Sequence, residues 1–536
     1  EREFFDAVMP EIAASVSAAT RRRLIAKLQE SHPELHAHYL KAKSLASDTI
    51  AHIRTCGRYL LTGRGDVNTY SVFAELSRNI LRSTGRAGVL VPSGIGTEHT
   101  TRGFFTALVD DGVLEGFYDF ENMAPVFRDV HRSYKFCILL FNGRALRAEA
   151  TDFVFFAHTM EELRERHRHI TLSTADLKLL NPNTHTCPIL RSTREAELVR
   201  AVYRRVPVLI DRTRKKGGNP WGIRFLRMFD QTNDAEHFRS AEQLKAAQYR
   251  PTGTVWKKGR ELLLPLYESK MFRSYDHRYG SVYVKDQNWM NQGQTVEATA
   301  VDHQNPEFFV APRWWVSEAE VIRRAGIPVA GAFPAFRNVT RATDTRTVIA
   351  SFIPFAGVAN SAPLILFKPE VSSRRQCCLL ANLNVLPLDY VAKRKIPNVN
   401  LNFFIVEQLP IFSPDFYSQR CPWDSRRTLE RWVSDRVLKL TCTSHDMRPL
   451  AEAAGFKPLV HKWNATERAD LTAELDAGYF LLYGIKRDDV EYILSTFAGL
   501  ARESDGALPG ADTTTRILRH YDALLAKSGA YSGDTI

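Results

Sequence analysis

GRGDVNTYSVFAELSRNILRSTGRAGVLVPSGI, residues 63–95, reads as a polar loop, a helix and then a buried strand that stops at a proline. Downstream of it lie two more short, almost wholly apolar runs, LEGFYDF (114–120) and YKFCILLF (134–141). Continuous apolar runs suit central strands covered on both faces by helices, whereas a strand with one wet face alternates. The stretch from 61 to 145 therefore predicts three strands of an α/β sheet separated by helical segments.

Around this unit the pattern changes. Residues 1–60 space their apolar positions by three and four, as in EFFDAVMPEIAASVSAATRRRLIAKLQE, and predict a helical insert in which Pro10 starts a turn or a first helical turn. Residues 146–250 mix helices and loops, include the turn-rich LNPNTHTCPIL, and read as a connector. Short strands and turns dominate 251–413, and helical periodicity returns over 414–536, as in RADLTAELDAGYFLLYG. No internal repeat is present.

The composition limits what such a chain does. Its 536 residues are 44% hydrophobic and 25% charged, which suits a folded protein of several domains. No apolar run has the length of a membrane span and the first residues carry no secretory pattern, so the expectation is a cytoplasmic protein with no membrane partner. Seven scattered cysteines without a CxxC predict reduced thiols, and no metal site is expected. The net charge of +12 favours a polyanionic partner, because neutralising phosphates releases condensed counterions. Residues 191–224 concentrate that charge, with ten basic residues against three acidic ones.

The helix, the strand ending in VPSGI, the second strand and then FENMAPVFRDVHRSYKFCILLF resemble the second half of the catalytic domain of gamma-class DNA adenine N6-methyltransferases. The resemblance is closest to the large single-chain enzymes of restriction-modification and phage-exclusion systems. It extends in order through GRYLLTGRGDVNTYSVFAE, LNPNTHTCP, LPLYESKMFRSYDHR, FRNVTRATDTRTVIASFIP, LNFFIVEQLP and AELDAGYFLLYGIKRDDVEYIL. It implies the second half of a Rossmann-like methyltransferase sheet, a mixed α+β target recognition domain and a helical C-terminal segment. The implied cofactor is S-adenosylmethionine and the implied partner is double-stranded DNA, with other defence-system proteins as further partners.

The resemblance also implies roles for residues. Phe73 and Tyr70 match positions that contact the adenosine end of the cofactor, with Asn68 and Asp66 beside them as candidate caps of the same helix. Phe127 matches the aromatic that stacks on the flipped-out adenine, where a ring face replaces the neighbours the base has lost. In the second half, base edges and phosphates call for Arg, Lys, Asn and Gln on strands and loops. Lys270, Arg273, His277, Arg278, Arg337, Asn338, Arg341 and Arg346 supply them, interleaved with aromatics, and Lys393, Arg394 and Lys395 form a further basic run.

Two elements of the family's chemistry do not occur among these residues: the glycine-rich loop for the methionine part of the cofactor and the Asn/Asp-Pro-Pro-aromatic loop that accepts hydrogen bonds from the adenine amine. The Asn-Pro at Asn181-Pro182 lacks the second proline and the aromatic. In the family the Pro-Pro loop falls shortly before a segment like EREFF, so the expectation is the C-terminal piece of a longer enzyme, inactive without its N-terminal half and left with an open sheet edge. A stand-alone DNA-binding specificity subunit is the competing class. A restriction nuclease is a third, resting on Glu268-Ser269-Lys270, whose Glu-x-Lys form suits a metal-dependent nuclease but whose nearest candidate aspartate, Asp234, lies 34 residues upstream. The glycines of SGIGTEH fit neither a dinucleotide fingerprint nor a P-loop.

Overall fold

Helix α5 (Thr69–Ile80) begins where Asn68 accepts a hydrogen bond from the Tyr70 amide at 3.4 Å, satisfying one of the amides a helix start leaves open. Asp66, the other candidate cap, is exposed two residues upstream and takes no part. Inside the helix, Glu75 is buried and accepts from Leu61 N, Thr62 N and Thr62 Oγ1 at 3.1, 2.8 and 2.6 Å, which ties the polar loop to the helix. The computed structural model in which these contacts occur describes all residues except 16–17, 99, 125, 284–292, 327–330, 397–398, 498–512 and 530–536. Parts of the segment expected to be helical over 414–536 thus lie outside the described residues. The chain forms two units, Glu1–Thr174 and Ala175–Ile536.

In the first unit, α1 (Arg2–Asp6), α2 (Pro10–Ala13), α3 (Ala18–Ser31) and α4 (Pro33–Thr55) make the expected helical region, with Pro10 at the first position of its helix. They share a small core of Phe5, Ile12, Ala13, Ile25, Leu28 and Tyr39. After α5 come β1 (Arg86–Pro92), α6 (Gly94–Thr97), α7 (Arg102–Asp110), β2 (Leu114–Glu121), β3 (Lys135–Asn142), β4 (Ala150–Ala157) and β5 (Ile170–Ser173). The sheet order is β1-β3-β2-β4-β5. Strand β3 runs antiparallel between β1 and β2, β4 is parallel to β2, and β5 is antiparallel to β4. Strands β1, β2 and β4 therefore all point the same way, and their carboxyl ends fall on one edge of the layer.

Two expectations change here. The sheet does not stop at residue 145, because β4 and β5, expected within a connector, complete it. And β1 is not a central strand with both faces covered: it pairs only with β3 among the described residues, and Leu90 is 55% exposed. Phe73 and Ile80 of α5 are also exposed.

The second unit is entered through α8 (Thr174–Leu180) and α9 (Thr193–Arg205). Its strands are β6 (Arg224–Leu226), β7 (Arg250–Thr252), β8 (Val255–Lys258), β9 (Glu261–Tyr267), β10 (Gly280–Tyr283), β11 (Gln294–Glu297), β12 (Trp315–Ser317), β13 (Ala332–Phe336), β14 (Ala350–Pro354), β15 (Gly357–Val358) and β16 (Leu364–Leu366). One sheet runs β12-β9-β8-β7 with β15 also on β9, and another runs β14-β13-β16-β6. A core that includes Phe229, Leu264, Leu266, Val316, Phe333, Ile353 and Leu364 joins them. Of the stretch 251–413 expected to hold short strands and turns, the strands end at Leu366, with β6 recruited from the sequence before them, and Ser373–Asn384, Leu386–Lys393 and Phe403–Val406 are helical instead. Helices Ser373–Asn384, Leu429–Thr441 and Ala465–Leu482 follow and pack on one another around Trp432, Tyr417 and Tyr479.

Candidate functional site

In open α/β layers, ligands bind beyond the carboxyl ends of parallel strands, where loops diverge and backbone groups are free. The first unit places a polar and aromatic cluster there. Ser93, directly after β1, donates to Asp119 on β2 at 2.5 Å, and the amide of Phe156 on β4 donates to the same carboxylate at 3.3 Å. Burial pushes the Asp119 carboxyl up, and Lys135, Ser93 and the Phe156 amide oppose that rise. Lys135, at the start of β3, pairs with Glu121 at 3.2 Å and lies 4.1 Å from the ring centre of Phe156. Phe156 itself has φ +55°, a left-handed conformation that a non-glycine residue holds only where its surroundings fix it. Tyr70 reaches the same end: burial, with Glu98 and Cys137 close by, pushes its hydroxyl up to about 12.

Phe127 sits on the loop between β2 and β3. Phe127 is 38% exposed as a residue, its ring meets Phe136 edge-on at 5.1 Å, and Phe136 stacks on Phe120 at 5.2 Å. The backbone of this loop is held by one side chain. Asn122 is fully buried, accepts from Phe127 N at 3.1 Å, and donates to Phe127 O at 2.9 Å and Val130 O at 2.8 Å. An aromatic ring is thereby kept at the surface instead of collapsing into the core beside it. Phe73 is likewise 66% exposed, so ordinary helix core does not account for it.

The residues expected to face DNA divide into two groups. Arg278 is fully buried and donates to the carbonyls of His303, Asn305, Phe308 and Thr443. His277 is buried too, with Nε2 3.1 Å from both Asp446 carboxylate oxygens and from Ser444 Oγ. One nitrogen serving both partners cannot relay a proton between them, so this Ser/His/Asp group is a structural lock and not a nucleophile. Arg346 donates to Asn384 O at 3.0 Å and approaches Asp476 at 3.5 Å. Arg394 pairs with buried Glu195 at 2.6 Å, and Lys393 donates to Asp344 O at 2.9 Å. Lys395 donates to Leu180 O at 2.5 Å and to Asn181, and burial alone lowers its ammonium well below the usual lysine range. These six side chains are spent inside the fold, which removes them from the interface.

The others remain together near the surface. Arg273 is exposed and lies 4.4 Å over the Tyr279 ring, and Arg337, beside it, donates to Phe272 O. Burial and the neighbouring Arg273 lower the Arg337 guanidinium to about 10, which marks two like charges held close. Asn338 contacts Asn400 at 3.2 Å, and Arg341 is exposed. Lys270 is half-buried, donating to Gly293 O at 2.7 Å with Glu268 3.4 Å away. The nuclease-like set does not assemble: Asp234 is bound by Arg324 at 2.8 and 2.9 Å, and no group of three or more His, Cys, Asp or Glu among the described residues is placed to hold a metal.

Sequence reading missed Asn122, Ser93, Asp119 and Lys135. A lone asparagine after a strand announces nothing until the loop that it anchors is seen.

Neither family models nor curated proteins match the chain. Among solved structures it is similar to the type IIG restriction endonuclease BpuSI, with a TM-score of 0.26 and 10% identity over 82% of this chain and 52% of that one. It is also similar to the type IIL restriction-modification enzyme MmeI in complex with DNA, with a TM-score of 0.34 and 9% identity over 86% of this chain and 52% of that one. The chain thus spans about half the length of each. Likeness at this level leaves function to the chemistry of the side chains. No helix among the described residues is long and apolar enough to cross a membrane.

Proposed function

We propose that this chain is part of a site-specific DNA adenine N6-methyltransferase serving restriction-modification or phage defence. In this reading the first unit carries the target-base side of the active site and the second unit reads duplex DNA. The observation that carries it is Phe127, an exposed ring at the carboxyl ends of three parallel strands, on a loop clamped by a buried asparagine. A planar apolar face presented to solvent at that position suits a base removed from its stack.

The residues present fit one side of a cofactor site. Tyr70 and exposed Phe73 offer aromatic surface for the adenosine end of S-adenosylmethionine, with Asn68 and Asp66 on the adjoining loop. When bound, that cofactor supplies an electrophilic methyl group. Phe127 stacks on the extruded adenine, Asn122 holds the backbone that carries the ring, and Ser93 donates to the buried Asp119 carboxylate while Lys135 offsets its charge. In the second unit Arg273, Arg337 and Arg341 supply cationic donors for phosphate and base-edge contacts.

A duplex containing one extrahelical adenine tests the base-stacking role. The chain is expected to prefer it over the fully paired duplex, and Phe127→Ala is expected to lose about 5- to 150-fold of that preference, the range that removing one base-aromatic stack gives. Equal affinity of the wild-type chain for both duplexes refutes the role. The second unit has its own core, so a DNA-binding specificity subunit is the second reading, and retention of sequence preference by a chain with no base-extrusion preference favours it.

A further inference from the structure

Residues 211–227, DRTRKKGGNPWGIRFLR, hold six cations and one carboxylate, and no role described above uses them. Their fold is specific. The Asp211 amide donates to Gly218 O at 2.7 Å and closes a loop in which Gly217 has φ +73° and a Cβ at Gly218 would overlap the Asp211 carbonyl oxygen. Only glycine fits both positions. The loop is braced from outside by the Asn-Pro stretch that failed as a catalytic motif: Asn183 donates to Ile210 O at 2.7 Å and accepts from Arg212 N at 2.7 Å. Two carboxylates nearby are already spent, Glu407 on Arg212 at 2.5 and 2.6 Å and Asp211 on Arg214 at 3.0 Å. Lys215 and Lys216 are left exposed, with no ion pair among the described residues.

This loop forms one wall of an open cleft of about 650 Å³. Aromatic rings line it as well. Phe225 and Phe403 stack at 5.0 Å and 24°, both rings are partly exposed, and the Arg227 guanidinium lies 4.8 Å from the Phe403 ring centre. Cations and aromatic rings lining one cleft form the combination that holds a phosphodiester backbone while a base stacks. A paired base keeps its faces inside the duplex and cannot reach such a ring.

We infer that this cleft binds a single-stranded segment of nucleic acid, with phosphates on Lys215, which lines it, and on the exposed chain neighbour Lys216, and an unpaired base against Phe225 and Phe403. The cleft adjoins the strip already assigned to DNA: Leu401 N donates to Asn338 O at 2.7 Å, and Phe403 meets Phe336 edge-on at 6.3 Å. A strand opened beside a duplex site would pass directly into it. The inference goes beyond methyl transfer, since strand binding here needs nothing from the first unit.

The test uses the full chain, a labelled 12-nucleotide oligothymidylate and the matching duplex, titrated over a range of salt. The expected result is tighter binding of the single strand. Lys215→Ala/Lys216→Ala, both exposed and neutral to folding by thermal midpoint, is expected to flatten the salt slope for the strand by about 1.4, the value for two phosphate contacts. Phe403→Leu, which keeps apolar volume, is expected to weaken the strand by about tenfold and leave competition by inorganic polyphosphate unchanged. Binding that favours the duplex, a salt slope that the double variant leaves intact, or equal competition by polyphosphate with no effect of Phe403→Leu would each overturn the inference. Oligothymidylate binding in a protein that extrudes no adenine separates this cleft from the methyltransferase reading.

Discussion

Replacing Asn122 with alanine removes the side chain that pins the backbone at Phe127 and Val130. Three hydrogen bonds go, two donated by Nδ2 to Phe127 O and Val130 O and one accepted by Oδ1 from Phe127 N. Each is worth about 1 kcal/mol net, and the loop residues 126–130 are exposed, so water can take up the freed carbonyls and no penalty for unsatisfied groups is added. The loss is therefore about 3 kcal/mol for closing the loop, a roughly 150-fold rise in its open population. Strands β2 and β3 pair over seven positions without Asn122 and keep their protection. Hydrogen exchange measured on peptides covering 122–134 should accelerate by about two orders of magnitude at the Phe127 amide, with peptides from β2 and β3 unchanged. In the extrahelical-adenine assay the variant should bind as weakly as Phe127→Ala, although its aromatic ring is intact. Unchanged exchange in the loop, or equal loosening of loop and strands, would refute the clamp.

Other consequences are simpler. Arg278→Ala strips the donor from four buried carbonyls and should cost about 4 kcal/mol, read as a lower thermal midpoint, whereas Arg341→Ala should leave the midpoint alone and flatten the duplex salt slope by about 0.9. Burial raises the Asp276 carboxyl, but His303 at 3.0 Å more than offsets this and holds it at about 2. A carboxyl depressed in the folded state stabilises above its unfolded pKa, and that contribution, about 2 kcal/mol, is lost as pH falls from about 4 to 2. The drop in thermal midpoint between pH 5 and pH 2 should accordingly be smaller in Asp276→Asn than in the wild type. Gly218→Ala should prevent closure of the 211–218 loop and abolish single-strand binding without changing the circular dichroism of the folded chain. Leu90→Lys places a charge on the open β1 edge and should reduce self-association measured by sedimentation, and unchanged association would show that this edge is not the contact.

The strands of the first unit were legible because AGVLVP, LEGFYDF and YKFCILLF are apolar runs too short for helices. What the runs do not encode is which strand neighbours which. An apolar strand at an edge reads the same as one at the centre, so β1 looked covered on both faces although Leu90 is exposed. Strand β4 was hidden for a related reason: ATDFVFFA has only a five-residue apolar run between polar positions, easily absorbed into a connector. Residue type also does not report direction. Arg273 and Arg278 stand five apart in one basic segment, yet the first is exposed over the Tyr279 ring and the second is wrapped by carbonyls. Phe127 could be singled out by resemblance, but its exposure depends on Asn122, five residues away in the same loop, through side-chain-to-backbone bonds that have no periodic signature.

The most direct test of the central claim is N6-methyladenine itself, mapped by single-molecule sequencing of DNA from cells that express the full-length protein containing this chain. The account predicts N6-methyladenine at one recurrent sequence, lost or strongly reduced with Phe127→Ala while protein levels hold. Absence of N6-methyladenine with the wild-type protein, or full methylation with Phe127→Ala, would contradict it.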